Sequence, residues 1–230
     1  MISIAEDIKI RVKRHKMDTK TDLHRFDKQI EGLQKQLESN PPKEGGILFY
    51  GSSTMAFWRT DHKCYQQMYP LPITNTGFGG ATTEETLYYY LRLVFPVKPS
   101  VMLYYTGAND LANGYRPSEV IQLTHRLFEW SRQDFPGIKF LIIPIRLSPG
   151  IKLDRNQGVL CNKLFSEYAQ NHEDTSLVDI HSLMYDSNAK LRTDIYVADM
   201  IHHNEKGYEE LAAIVKPMLK KLYENKETEK

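Results

Sequence analysis

Four short stretches hold side chains whose types and spacing can do chemistry. Gly51-Ser52-Ser53-Thr54 sets three hydroxyls directly behind the apolar run "ILFY". Such hydroxyls either cap a helix, accepting from its free N–H groups, or supply a nucleophile held at a strand end. Asp199 and His202 stand D-x-x-H apart in "ADMIHHNEKGY". The carboxylate can reach back to the ring Nδ1–H, fix the tautomer and leave Nε2 as a base; the alternative is a capping or surface histidine. His203 beside it invites a metal reading. Adjacent histidines point apart in most backbones, however, and neither H-E-x-x-H nor a cysteine partner accompanies them. Asn109-Asp110 in "TGANDL" reads as a turn, or as a side-chain amide able to donate to a developing oxyanion. Gly77, Gly79 and Gly80 in "NTGFGGATTEE" permit backbone shapes closed to other residues. They form either a plain strand-to-helix turn or a loop whose N–H groups face a negative charge. Thr82 occupies the place where a dinucleotide fingerprint needs glycine, and Thr82 with Glu85 has the spacing of a capping box.

The elements that must position these stretches can be read from hydrophobic periodicity. Strands are expected at Ile47–Tyr50, Pro72–Asn75, Ser100–Tyr105, Lys139–Ile145 and Ser176–Ile180. Helices are expected at about Glu84–Val94, Pro117–Asp134, Leu153–Asn171 and Asn204–Glu224. "ILFY", "VMLYY" and "KFLIIPI" are nearly continuous apolar runs, as strands buried on both faces require. Their alternation with helices specifies an α/β fold: a flavodoxin-like, three-layer doubly wound sandwich around a mostly parallel five-stranded sheet. Ahead of it, Leu23, Phe26, Ile30, Leu33 and Leu37 share one helical face between Asp22 and Asn40, and "SNPPKEGG" ends that helix. Ile8, Ile10 and Val12 alternate with charged residues and suggest a short strand, or a helix. The charged tail "ENKETEK" is expected to fray. Residues 1–44 therefore form an N-terminal helical extension, packed on a main domain at 45–225. In doubly wound sheets ligands bind beyond the C-terminal strand ends, where all four stretches fall.

Composition narrows the classes. The chain has 230 residues, with 30 basic and 29 acidic side chains, so no basic excess is available for nucleic-acid phosphates. Cys64 and Cys161 show no paired or zinc spacing and read as free thiols in a reducing compartment. "MISIAEDIKIRVKRHK" lacks the apolar core of a signal peptide, and no run approaches the roughly 18 apolar residues of a membrane span. A cytoplasmic protein is expected.

Taken together the four stretches resemble the SGNH hydrolases, the GDSL esterase/lipase family, whose serine, glycine, asparagine and histidine lie on four blocks in that chain order. "FYGSST" resembles the G-D-S block with Ser53 at the nucleophile position, and "GFGGAT" the second block with Gly80. "GAND" matches G-x-N-D through Asn109, and "DMIH" matches D-x-x-H through Asp199 and His202. The resemblance covers about residues 45 to 222. Ser52 replaces the usual Asp of G-D-S, which leaves Ser52 as a second candidate nucleophile beside Ser53. No G-x-S-x-G elbow is present.

The resemblance implies a serine esterase or acylhydrolase without metal or organic cofactor. Ser53 would attack the ester carbonyl, His202 would act as base and then acid, and Asp199 would orient it. Ser53 N–H, Gly80 N–H and the Asn109 side chain would hold the oxyanion. The substrate would be a small-molecule, lipid or acylated-carbohydrate ester, with short acyl chains favoured and an acetyl group on a carbohydrate as one form. Thioesterase, lysophospholipase and acyltransferase activities fit the same fold. From other classes, an inactive binding module and a flavodoxin-like nucleotide binder are the rivals; the latter leaves His202 and Asn109 without a task. The N-terminal helix offers a face for a homo-oligomer.

Overall fold

The computed structural model describes residues 20–60 and 63–224. The alternating Ile8–Val12 segment and the tail beyond Glu224 lie outside the described residues. In chain order the elements are α1 (Asp27–Ser39), β1 (Ile47–Gly51), α2 (Ser53–Thr60), α3 (Cys64–Met68), β2 (Ile73–Asn75), α4 (Thr83–Tyr88) and α5 (Tyr90–Leu93). There follow a 3₁₀ turn (Phe95–Val97), β3 (Val101–Tyr105), α6 (Ala108–Ala112), α7 (Pro117–Asp134) and β4 (Lys139–Ile142). The chain continues through α8 (Arg155–Gln170), β5 (Thr175–Leu177), α9 (His181–Met184) and α10 (Glu205–Glu224).

The five strands form one sheet in the order β2-β1-β3-β4-β5, and every pairing is parallel. Strand side chains alternate between faces, so each strand feeds two cores. Leu48, Tyr50, Met102, Tyr104 and Phe140 join α1, α4, α5, α7 and α8 on one side. Ile47, Phe49, Val101, Leu103 and Leu141 join α2, α3, α9 and α10 on the other. This double burial explains the unbroken apolar runs. The order reverses direction between β1 and β3, which opens a crevice at their C-terminal ends.

Several boundaries differ from the sequence expectation for physical reasons. The helix expected at Glu84–Val94 is two pieces that break at Tyr89, whose hydroxyl donates to Leu23 O and Asp27 Oδ1. The fourth strand stops at Ile142 rather than Ile145. Beyond it the Asn162 side chain takes over the pairing, accepting from Ile145 N and donating to Ile145 O, both at 2.8 Å. The last strand runs Thr175–Leu177 rather than to Ile180, because Asp179 Oδ1 accepts from His181 N and starts α9. Among the described residues no helix is long and apolar enough to cross a membrane.

Candidate active site

Ser53 is the first residue of α2, separated from Gly51, the last residue of β1, by Ser52 alone. Gly51 makes that exit possible. Its φ is +129°, and a Cβ there would lie 2.0 Å from Tyr105 O on the neighbouring strand, a separation only hydrogen can occupy. Ser52 N donates to the same Tyr105 O at 2.9 Å, and its side chain is buried at 1 % exposure. Ser53 instead meets the last loop: Ser53 Oγ lies 3.1 Å from His202 Nε2.

That loop is shaped by Asp199. Its Oδ1 accepts from Ile201 N at 2.8 Å and His202 N at 2.9 Å, while Oδ2 lies 2.6 Å from His202 Nδ1. Burial pushes the Asp199 pKa up, but the donations from His202 and Ile201 outweigh it and hold the carboxyl at about 2. An ionised carboxylate only accepts, so Nδ1 of His202 carries the hydrogen, and Nε2 of the neutral ring can accept from the Ser53 hydroxyl. Phe57 packs edge-on against the ring at 4.9 Å. The neighbouring His203 turns inward, buried between Tyr196 and Tyr208. Among the described residues no group of three or more His, Cys, Asp or Glu side chains gathers as a metal site.

The middle two stretches are tied to each other. Asn109 lies on α6, and its Nδ2 donates to Ala81 O at 2.9 Å, so it is attached to the loop that carries Gly80. Asp110, fully buried beneath, accepts from Thr83 N at 2.8 Å and Gly107 N at 3.1 Å. One carboxylate thereby satisfies free N–H groups at the starts of both α4 and α6. Burial pushes its pKa up against hydrogen bonds from Thr83 and leaves it at about 6. The expected Thr82–Glu85 capping box is present.

Arg146 is a site residue that the sequence reading missed. It is 3 % exposed. Its Nη2 donates to Thr54 Oγ1 at 2.8 Å and its Nη1 to His203 Nδ1 at 2.9 Å. One buried guanidinium thus links the residues next to Ser53 and next to His202, and it lies over the Tyr105 ring at 5.1 Å. The available signal was its place, a charged residue immediately after the apolar run "KFLIIPI". A cavity of about 220 Å³ is lined by Ser53, Asn109, Arg146, Lys152, Leu153 and His202. Two larger cavities, about 500 Å³ between α1 and β2 and about 360 Å³ beside β5, include none of Ser53, Asn109 and His202. The small cavity is the one of these three that Ser53, Asn109 and His202 line together.

A hydroxyl, an imidazole and a carboxylate in hydrogen-bonded series can activate the hydroxyl for attack on a carbonyl. Comparisons with known proteins bear on this reading. Among solved structures the fold is similar to a protein described as a candidate acylhydrolase from Bacteroides fragilis NCTC 9343 (TM-score 0.68, 21% identity, covering 90% of this chain and 100% of that one). It is similar also to a GDSL-like lipase from Bacteroides thetaiotaomicron VPI-5482 (0.67, 19%, 88% and 99%). A third is an acetyl esterase variant with acetate ion (0.60, 16%, 78% and 98%). No curated protein matches the chain. The family model for the GDSL-like lipase/acylhydrolase family matches residues 49–210. That span includes all four motif stretches, and the chain belongs to this family and is an ester-bond hydrolase.

Proposed function

We propose that the protein is a serine esterase cleaving short-chain carboxylic esters through an acyl-Ser53 intermediate. One observation carries this reading: the continuous series Asp199 Oδ2–His202 Nδ1 at 2.6 Å and His202 Nε2–Ser53 Oγ at 3.1 Å. His202 Nε2 takes the Ser53 proton as Oγ attacks the ester carbonyl. Asp199, ionised at neutral pH, stabilises the imidazolium. The oxyanion is held by Ser53 N–H in the first turn of α2, where the backbone donors lack helical partners, by Gly80 N–H, and by the Asn109 amide. The intermediate collapses as His202 returns the proton to the leaving alcohol. Water, deprotonated by the same Nε2, then attacks the acyl carbon; the carbon–Oγ bond breaks, His202 returns the proton to Ser53 Oγ, and the acid leaves. The same reading takes residues 45–225 as the hydrolase domain and 1–44 as its extension.

The acyl group is proposed to be short, with an acetyl ester of a carbohydrate as one form. The site cavity, about 220 Å³, is smaller than the roughly 300–1,000 Å³ of sites for drug-sized ligands. The test is hydrolysis of p-nitrophenyl acetate, butyrate and octanoate with Ser53→Ala in parallel. Acetate or butyrate should give the highest kcat/KM, and Ser53→Ala should abolish turnover. Octanoate as best substrate would reject the short chain. Turnover surviving in Ser53→Ala would reject the nucleophile and move it to Ser52.

A further inference from the structure

We infer that Arg25, from the N-terminal extension, is a positioning residue for the oxyanion loop. This rests on the assignment of the Gly80 N–H as an oxyanion donor. The Arg25 guanidinium grips that loop in two places. Its Nη2 donates to Gly80 O at 3.0 Å, and Nε and Nη2 together bind both oxygens of Glu85. Glu85 is fully buried. Its Oε2 also accepts from Thr82 N at 2.8 Å and Thr82 Oγ1 at 3.0 Å. The carboxylate that starts α4 is thus neutralised from the extension, a bidentate pairing that lysine cannot reproduce. The buried carboxylate in turn raises the Arg25 pKa, chiefly through that hydrogen bond.

The loop needs such a grip. Gly79 and Gly80 are adjacent, Gly80 sits at φ +81°, and a Cβ on Gly79 would meet nothing within 4 Å. A peptide between two glycines turns over at low cost, because no side chain resists it. Such a turnover would point the Gly80 N–H away from the reaction. Arg25 does not hold that peptide itself, whose carbonyl is Gly79 O; it fixes the plane of the following peptide through Gly80 O, and Asn109 the one after through Ala81 O, which narrows the backbone shapes in which Gly80 can present its N–H. Phe26 adds a lid of contact. Its Cζ would lie 3.7 Å from a Cβ at Gly80, its ring meets Phe78 edge-on at 5.2 Å, and the Arg25 guanidinium lies over it at 4.4 Å. The extension therefore does more than cover apolar surface: it sets the shape of a catalytic loop about 55 residues downstream, as the Arg25–Gly80 separation in sequence records.

The experiment compares Arg25→Gln with wild type, Ser53→Ala and Arg92→Gln in the full chain, using p-nitrophenyl acetate. Arg92 holds the same extension through Asp27 and Gln34 without touching the loop. A misaligned oxyanion donor should lower kcat by on the order of 10²-fold, with KM nearly unchanged. Millimolar guanidinium or methylguanidinium should restore part of that loss, and Arg92→Gln should keep wild-type kcat. Wild-type kcat in Arg25→Gln would overturn the inference. So would an equal loss in Arg92→Gln without guanidinium rescue, since the extension would then act by bulk packing alone. Ser53→Ala reports separately on the nucleophile, so failure of the esterase reading is distinguishable from failure of this one.

Discussion

Asn109 carries two amide hydrogens, and one is committed to Ala81 O at 2.9 Å. That bond fixes the side chain against the Gly80 loop and leaves the second hydrogen for the oxyanion role proposed above. The role is confined to one atom, so the prediction is sharp. Asn109→Asp keeps the size and removes both hydrogens; Asn109→Ala removes the group. Both should lower kcat by on the order of 10²–10³ while KM moves little, as loss of one oxyanion donor does. Steady-state kinetics on protein checked by circular dichroism reads this. Full kcat in folded Asn109→Asp would remove Asn109 from the oxyanion hole. Asp110, its neighbour in the same dipeptide, has a different duty: it is buried and binds Thr83 N and Gly107 N. In the proposed mechanism the "ND" pair divides into a donor for chemistry and an acceptor for architecture.

At the scale of elements, the site is an agreement among loops that follow β1, β2, β3 and β4 and precede α10. Arg146, after β4, enforces that agreement between the first and last through Thr54 and His203. A lysine has one ammonium and cannot span both acceptors as a planar fork does. Arg146→Lys should therefore loosen the Ser53–His202 contact and reduce kcat by up to about 10²-fold with KM nearly constant, since small misplacements of reacting groups cost that much. A raised KM with unchanged kcat would show that Arg146 serves substrate binding instead. Legibility from sequence follows the range of the interaction. β1 and β3 announce themselves because double burial demands unbroken apolar residues, and α7 was read to its observed ends because Pro117 suits a first helical turn. The candidate residues Ser53, Asn109, Asp199 and His202 are visible as motifs because each has a neighbouring motif residue or its strand within a few residues. The break at Tyr89 is not visible, since "ETLYYYLRL" is a continuous helical pattern and the groups that its hydroxyl meets there, Leu23 O and Asp27 Oδ1, lie more than 60 residues away. Arg25 left no local mark for the same reason: its acceptors lie at Gly80 and Glu85.

For the whole molecule, the sheet buried on both faces is the frame on which the site depends, and its two cores should be separable from the chemistry. Phe128 on α7 is fully buried. It stacks on Phe140 of β4 at 4.0 Å and meets Tyr104 of β3 edge-on at 5.4 Å. Neither partner lines the Ser53 cavity. Phe128→Ala removes a ring that a close-packed interior cannot refill, and should destabilise the fold by about 3–5 kcal/mol. In a domain with net stability of roughly 5–15 kcal/mol that leaves a folded but weakened protein at low temperature. Urea unfolding at about 10 °C should show the loss as a lower midpoint with an unchanged slope. At the same temperature kcat for p-nitrophenyl acetate should stay near wild type, because the Ser53–His202–Asp199 series is held by loops at the strand ends and not by this aromatic stack. A collapse of kcat in fully folded Phe128→Ala would mean that the sheet core and the strand-end loops are coupled, and that site geometry depends on packing well below the cavity floor.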